Sequence, residues 1–476
     1  MQSRPSAFDE TSSTRIPGSP AMRERRARAW ERFAVAPMPG QKDEAWRYSR
    51  VGDLDLGSFA PAVLAPRAEE HADLVSAARD LARSLGPCRA LAVTVPGGVI
   101  AVELPGGTGE QLRVAGSRSA EDLPVGLGSI AGLSGIFGEL HDAFLGEVLT
   151  ISVPPGTVLD APVVVVNIAG TPPGKDDLGR LASFPRTFVE LGAGASATVV
   201  EVALDAAEGV IIETPQGRAT TLRASGEGQH MRTATPGASS TSSASLVVPV
   251  TELDVGERAR LSYVSVQALG RESWQIATQA SRVATGGEII SYSAGLGGLY
   301  ARVSTLCSLD GEGARSTLLA AYLGTGEQVH DFETVQDHRA PSSASELVFD
   351  GAVADRARSA YNGLIRIRRG AHGADAFQTN HNLVLSEGAH ADSIPNLQIE
   401  ENDVRCSHAS TVGPVDEEQR FYLESRGVEP AEAERLVVAG FFREAARRAP
   451  LSGVGRWVEE EMAARLEAGR RVTGGG

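Results

Sequence analysis

From about Leu149 onward, for roughly 260 residues, short runs of β-branched residues follow one another with Gly, Pro or Asp between them. Examples are TISVPPGTVLDAPVVVVNI, RTFVELGAGASATVVEV, ARLSYVSVQAL and ARVSTLCSLDGEGARSTLLAAYLGTG. No amphipathic helix interrupts them, which removes alternating strand–helix folds, because each parallel crossover there needs one. A sandwich, a barrel or a β-solenoid remains. Composition agrees: 53 Gly and 25 Pro with only 5% aromatics suit many strands and turns better than a helical bundle.

An internal repeat favours the solenoid. Asn362-Gly363-Leu364-Ile365-Arg366-Ile367 precedes Gly370-Ala371-His372, and eighteen residues on Asn380-His381-Asn382-Leu383-Val384-Leu385 precedes Gly388-Ala389-His390. The spacing predicts consecutive coils, with Ile365 over Leu383 and Ile367 over Leu385 inside, Arg366 and Arg368 outside, and a third coil at Leu397-Gln398-Ile399. The expected fold is mainly β: a right-handed parallel β-helix core over 145–412, with an N-terminal α/β region and a C-terminal helical domain.

The flanks differ in texture. Residues 1–20 are polar and read as a loose tail. Residues 21–130 form a small mixed region: a charged helix over 21–35, a helix over 67–85 with Leu74, Ala78, Leu81 and Leu85 on one face, and a hairpin over 89–105 around Pro96-Gly97-Gly98. Residues 416–476 are helical, with Asp416 and Gln419 as a capping box, Gly427 as a stop, Pro430 opening a helix to 448, and a last helix over 457–471. Residues 235–246, TPGASSTSSASL, read as a low-complexity loop.

Charge and targeting signals exclude several functions. The net charge of −15 repels phosphate backbones, so no nucleic-acid groove is expected. No apolar run reaches the ~20 residues of a membrane span, and the start has no apolar signal core. Cys88, Cys307 and Cys406 are scattered and make no disulfide framework or zinc knuckle, pointing to a reduced, cytoplasmic setting. GTGEQV (324–329), GAGASA (192–197) and Gly174-Lys175-Asp176 fall short of nucleotide-binding loops and read as turns.

The chemistry-bearing residues cluster late. Of nine histidines, five lie between 330 and 390 and a sixth is His408. His330, beside Asp331, and His338 read as lying in an acidic-rich loop, while His372, His390 and His408 are spaced by eighteen and would stack in a column on a regular solenoid. A shared metal ion is one reading of that column, and turn capping the commoner one. Cys406-Ser407-His408 puts a thiol and an imidazole on one face of a strand, both ligands for iron and other borderline metals. A nucleophilic Cys–His pair lacks an orienting third group, and a buried structural cysteine beside a surface histidine is the plain alternative.

The stretch EENDVRCSHASTVGPVDEEQRFYLESRGVEPAEAERLVVAGFF (400–442) resembles the C-terminal signature of the SufB/SufD family of iron–sulfur cluster assembly proteins. The resemblance extends through 337–367 and 378–400, and more weakly to EAWRYSRV (44–51) and ISVPPGTVLDAPVVV (151–165). SufB-like chains carry a cysteine where this chain has Asn380, and Glu-His-Glu where it has Ser407-His408-Ala409, so the pattern is similar to the SufD branch.

The resemblance implies a non-catalytic scaffold. A SufB-like paralogue would pair through the β-helix, and a SufC-like ABC ATPase would dock on the C-terminal helices, with Phe421, Tyr422, Arg426, Phe441 and Phe442 at that contact. Without its partner, the chain would be open to homodimer formation. His408, with Cys406, would contribute to an iron or nascent iron–sulfur site completed by SufB, transient and not held by this chain alone. Rival readings are SufB itself, which would bind a cluster unaided, and a β-helix enzyme acting on polysaccharide, which needs an aromatic groove with paired carboxylates. With 24 aromatics and no obvious acidic pair, the chain is poorly equipped for the latter.

Overall fold

The computed structural model describes residues 7–104, 111–170, 180–206, 211–213, 219–221 and 244–473. Twelve long strands form six regular coils. They are β1 (Val250–Val255), β2 (Arg260–Ala268), β3 (Trp274–Val283), β4 (Glu288–Gly295), β5 (Tyr300–Leu309) and β6 (Arg315–Gly324), continuing with β7 (Val329–His338), β8 (Ala344–Val353), β9 (Arg358–Ile367), β10 (Ala374–Val384), β11 (His390–Ile399) and β12 (Val404–Gly413). Odd-numbered strands pair in parallel in one sheet, even-numbered strands in a second, and the chain winds between them. Shorter strand pairs, Val148–Val153 with Val163–Ala169 and Arg186–Leu191 with Ser196–Asp205, extend both sheets backwards. The expected β-helix core stands.

Its period does not. Trp274 pairs with Tyr300 and Arg358 with His390, so one coil takes 26 to 32 residues rather than 18. Ile365 lies beside Leu397, while Leu383 belongs to the opposite sheet, beside Ala352 and Gly413. The eighteen-residue similarity joins the two faces of one coil, which share an alternating pattern because both are half lumen and half exterior. Turns of unequal length then erase a fixed coil period.

Outside the lumen, helices cover the older coils. On the second sheet, the helix Ala72–Leu85 and the C-terminal helices Pro430–Arg447 and Ser452–Thr473 bury Leu74, Leu81, Val438, Phe442, Trp457 and Met462 against Val166, Val202, Val266 and Ala321. Each fully buried large side chain there contributes about 1.5–3 kcal/mol. On the first sheet, Phe33, Phe137 and Phe144 from N-terminal helices pack near Trp274 and Tyr300. The expected loose tail over 1–20 is replaced in its described part by a helix, Glu10–Arg15, capped by Asp9 and anchored by buried Phe8 and Ile16. Two apolar residues flanking a polar turn were enough to dock it. Most of the loop expected over 235–246 lies outside the described residues; Ala244 and Ser245 are buried.

The N-terminal segment is fastened by buried charge. Glu252, fully buried, accepts from the backbone N–H groups of Gly128, Ile130 and Ala131 at 2.8–3.1 Å and from Arg186 Nη2 at 2.5 Å. Trp46, in the EAWRYSRV stretch, lies 4.1 Å over the Arg302 guanidinium, which Asp331 and Glu333 hold at 2.8 and 2.7 Å.

Candidate functional site at the open end of the solenoid

The last coil breaks the pattern of the others. Parallel sheets are ordinarily covered on both faces, and an edge strand leaves a row of unpaired N–H and C=O groups. Here both sheets end together, on β11 and β12, with no further strand beyond either among the described residues. Leu397, Ile399 and Val412 point into the lumen by strand alternation, yet are 37%, 45% and 44% exposed because no coil lies over them. Pro395 removes one N–H from the β11 edge; β12 has no proline and keeps all of its own.

Cys406 and His408 stand on β12 at this mouth. Cys406 packs with Ile365, Ile367, Ala374 and Ala376, which fixes its side as the lumen side. Ser410 confirms the phase, since its hydroxyl donates to Ser393 Oγ at 2.7 Å across the lumen. His408, between them in alternation, shares that face and is exposed only because the mouth is open. Burial pushes the Cys406 thiol above its ordinary range, so thiolate forms most readily when a cation arrives to take it. Among the described residues no three His, Cys, Asp or Glu side chains group closely enough to hold a metal. Cys406 and His408 thus offer two donor atoms at the mouth, where an iron–sulfur cluster normally takes about four.

The other histidines lie elsewhere. The expected column of His372, His390 and His408 does not form: His372 is in the turn before β10, His390 opens β11 and bonds Asp392 at 3.2 Å, and His408 is in register with Gln378. His330 and His338, expected in a loop, are fully buried in β7 and face the lumen. His338 is held by Ser343 and Ser345 Oγ at 2.9 and 2.8 Å, and His330 Nε2 meets the Leu323 carbonyl at 3.1 Å. Desolvation pushes both imidazoles down to about 4, so they are neutral structural groups at neutral pH.

The C-terminal residues divide in the same way. Phe421 and Tyr422, on the helix Glu417–Ser425, are 70% and 58% exposed, and Arg426 stacks over the Tyr422 ring at 5.3 Å. Phe441 is half-buried with its ring 5.5 Å from Phe442. Phe442, expected at the partner surface, is 2% exposed and packs inward with Val438 and Trp457. Its helical phase puts it on the sheet-facing side, a distinction the FF pair conceals in sequence.

Two features went unread in the sequence: the lumen-facing amides of Gln336 and Gln378, both 1% exposed, and the cross-lumen contact of Ser393 with Ser410. Only the strand register reveals them. A signal existed in the 30-residue offset between Ala374 and Val404, hidden because no other coil repeats it consistently.

Comparison with known proteins bears on the same stretch. The family model for the SufBD core domain of the SUF system for iron–sulfur cluster assembly matches residues 218–441. SufD of Escherichia coli strain K12 is 30% identical over 219 residues, 46% of this chain and 52% of that protein. SufD of Bacillus subtilis strain 168 is 40% identical over 147 residues, 31% of this chain and 34% of that protein. A SufBD family protein of Mycobacterium tuberculosis H37Rv is 35% identical over 201 residues, 40% of this chain and 51% of that protein. The chain spans about half the length of the first of the curated relatives it matches. With its solenoid and these relatives, the chain carries a SufBD core domain over residues 218–441, is similar to the SufB/SufD family of iron–sulfur cluster assembly proteins, and is most like SufD.

Proposed function

We propose that this chain is a SufD-like scaffold subunit that contributes His408, with Cys406, to a cluster-building site shared with a SufB-type paralogue. One observation carries the reading: an iron-compatible donor pair sits at the only coil whose lumen and strand edges are uncovered among the described residues. A second β-helix laid on that mouth would bury Leu397, Ile399 and Val412, pair the free edge and bring the missing ligands. The cluster is cargo, and two donors hold it weakly enough to release it. Rigid strands fix the donors better than loops do. We read the pair as a ligand pair rather than a nucleophile with its base, because such a base ordinarily has a third group to orient it.

Docking of a SufC-type ABC ATPase belongs to the C-terminal helices, where Phe421, Tyr422 and Leu436 leave apolar surface in water. Homodimer formation through the same mouth is the state expected without the paralogue. The cytoplasm, where thiols stay reduced, is the compartment this chemistry requires; no helix here is long and apolar enough to cross a membrane.

His408→Ala tests the reading. The variant is expected to fold, pair with the paralogue and fail to deliver clusters; delivery at the normal rate refutes the role of His408. Removing residues after Asp416 is expected to lose the ATPase in a pull-down while circular dichroism still reports strand.

A further inference from the structure

The lumen beneath the mouth holds a side chain that its own contacts do not explain. Gln378 lies on β10 directly in register with His408 on β12, and strand alternation turns both inward. It is 1% exposed, and neither Oε1 nor Nε2 has a hydrogen-bond partner among the described residues. A buried polar group without a partner is costly to keep, so an amide kept there needs a reason.

Space for the amide is built into the opposite wall. A Cβ on Gly363 would stand 2.5 Å from Gln378 Nε2 and 2.2 Å from the Tyr361 hydroxyl, so only glycine admits the amide. The Tyr361 hydroxyl is already engaged with Thr334 Oγ1 at 3.1 Å. Above lie Pro395, which has no N–H to offer, and His408. Rungs are ~4.8 Å apart, so a small rotation of the imidazole brings a ring nitrogen within the ~2.9 Å of an amide hydrogen bond.

The geometry points to Gln378 as a positioning residue for His408. Its Oε1 accepts the N–H of the lumen-side ring nitrogen, which leaves the other nitrogen unprotonated and facing the mouth. A ligating imidazole ordinarily donates its second N–H to an acceptor behind it, and this fixes both tautomer and ring orientation. An amide does so without adding a buried negative charge, which this lumen would have to desolvate. The assignment deepens the reading of His408 as a donor to cluster cargo and rests on it for its use, though not for the contact itself.

The test is a two-bond 1H–15N correlation spectrum of the full chain labelled at histidine, at about pH 8.5, where an ordinary imidazole is neutral. His408→Ala assigns the resonance. The wild-type His408 is expected to show one dominant tautomer. Gln378→Leu and Gln378→Met, the second keeping the reach without the amide, are expected to give a mixture, while Gln378→Glu, which still accepts, keeps the wild-type form. The eight other histidine signals report that each variant is folded. A mixed wild-type spectrum, or one unchanged in Gln378→Leu or Gln378→Met, overturns the contact. Cluster delivery is scored separately: it is expected to fall about 10-fold or more in Gln378→Leu, the usual loss for an outer-shell partner. Loss of delivery in His408→Ala with no tautomer change in Gln378→Leu leaves the cargo reading standing and removes this one. Normal delivery in His408→Ala with the tautomer lock intact does the reverse.

Discussion

The Tyr322 hydroxyl donates to Asn382 Oδ1 at 2.5 Å although a whole coil separates their strands, β6 and β10. The rung between them carries Gly351, where a Cβ would lie 2.0 Å from the Tyr322 ring. The tyrosine therefore occupies the lumen share of two coils and ties three together. Asn382 also accepts from Ser359 at 3.1 Å and donates to Asn380 at 2.8 Å, completing a polar knot below the mouth.

Two substitutions test the knot. Tyr322→Phe removes one of the two donors to Asn382 Oδ1, which keeps Ser359, and is expected to cost about 0.5–1.5 kcal/mol in urea denaturation. Gly351→Ala forces the ring aside at a similar or larger cost. Tyr322→Leu, measured alone as a third variant, removes the ring that Gly351→Ala would strike, so the double variant Gly351→Ala/Tyr322→Leu is expected to lose less than the sum of those two single variants, and strict additivity refutes the coupling.

Acid weakens the solenoid from within. His330 and His338 are held at about 4 by burial, against an ordinary value near 6.5, and His141 at about 3. Below pH 6.5 the unfolded chain takes up protons that the folded one refuses, so stability falls as pH drops toward 4. The limit is about 3 kcal/mol for each of His330 and His338. Denaturation midpoints measured from about pH 7.5 to 5 are expected to fall, with a shallower slope in His338→Asn. An unchanged slope in that variant removes His338 from the account.

Glu252 is the fastening point of the N-terminal segment. Glu252→Gln leaves Arg186 buried without its carboxylate and is expected to cost about 3–5 kcal/mol. Limited proteolysis is expected to cut first near residues 126–131, where Glu252 now receives the N–H groups of Gly128, Ile130 and Ala131. Cleavage confined to other loops contradicts this.

At the mouth, Ile399→Lys and Val412→Asp place charge on exposed positions, so melting temperature is expected to hold within about 2 °C, as for ordinary surface changes. Gel filtration with the SufB-type paralogue is expected to show pairing lost. Retained pairing puts the shared interface elsewhere. On the helices, Phe421→Ala/Tyr422→Ala is expected to reduce ATPase capture with stability unchanged.

Much of this was readable before any coordinates. Alternating β-branched runs without helices specify a coiled β architecture, because hydrophobic periodicity is a local property that survives folding. The cap at Asp416 and the entry at Pro430 are local too, and both helices begin there. Coil length was not readable. Ile365 and Leu383 look alike because each is a covered apolar position, yet Ile365 faces the lumen while Leu383, with Leu385, packs outward toward the C-terminal helices, and likeness tells neither the next coil from the opposite wall nor the lumen from a helix-covered face. The Phe441–Phe442 pair failed for a related reason: helical phase separates the two by about 100°, and only packing decides which one is buried.

The order of residues alone determined that Cys406 and His408 share a face, since alternation along an extended strand admits no other outcome. It also determined that helices follow Asp416. Tertiary structure alone decided that the shared face is the lumen, that Gln378 lies beneath His408, and that the coil ends uncovered among the described residues. Those facts depend on register between strands about 30 residues apart, which turns of unequal length set and no local pattern encodes.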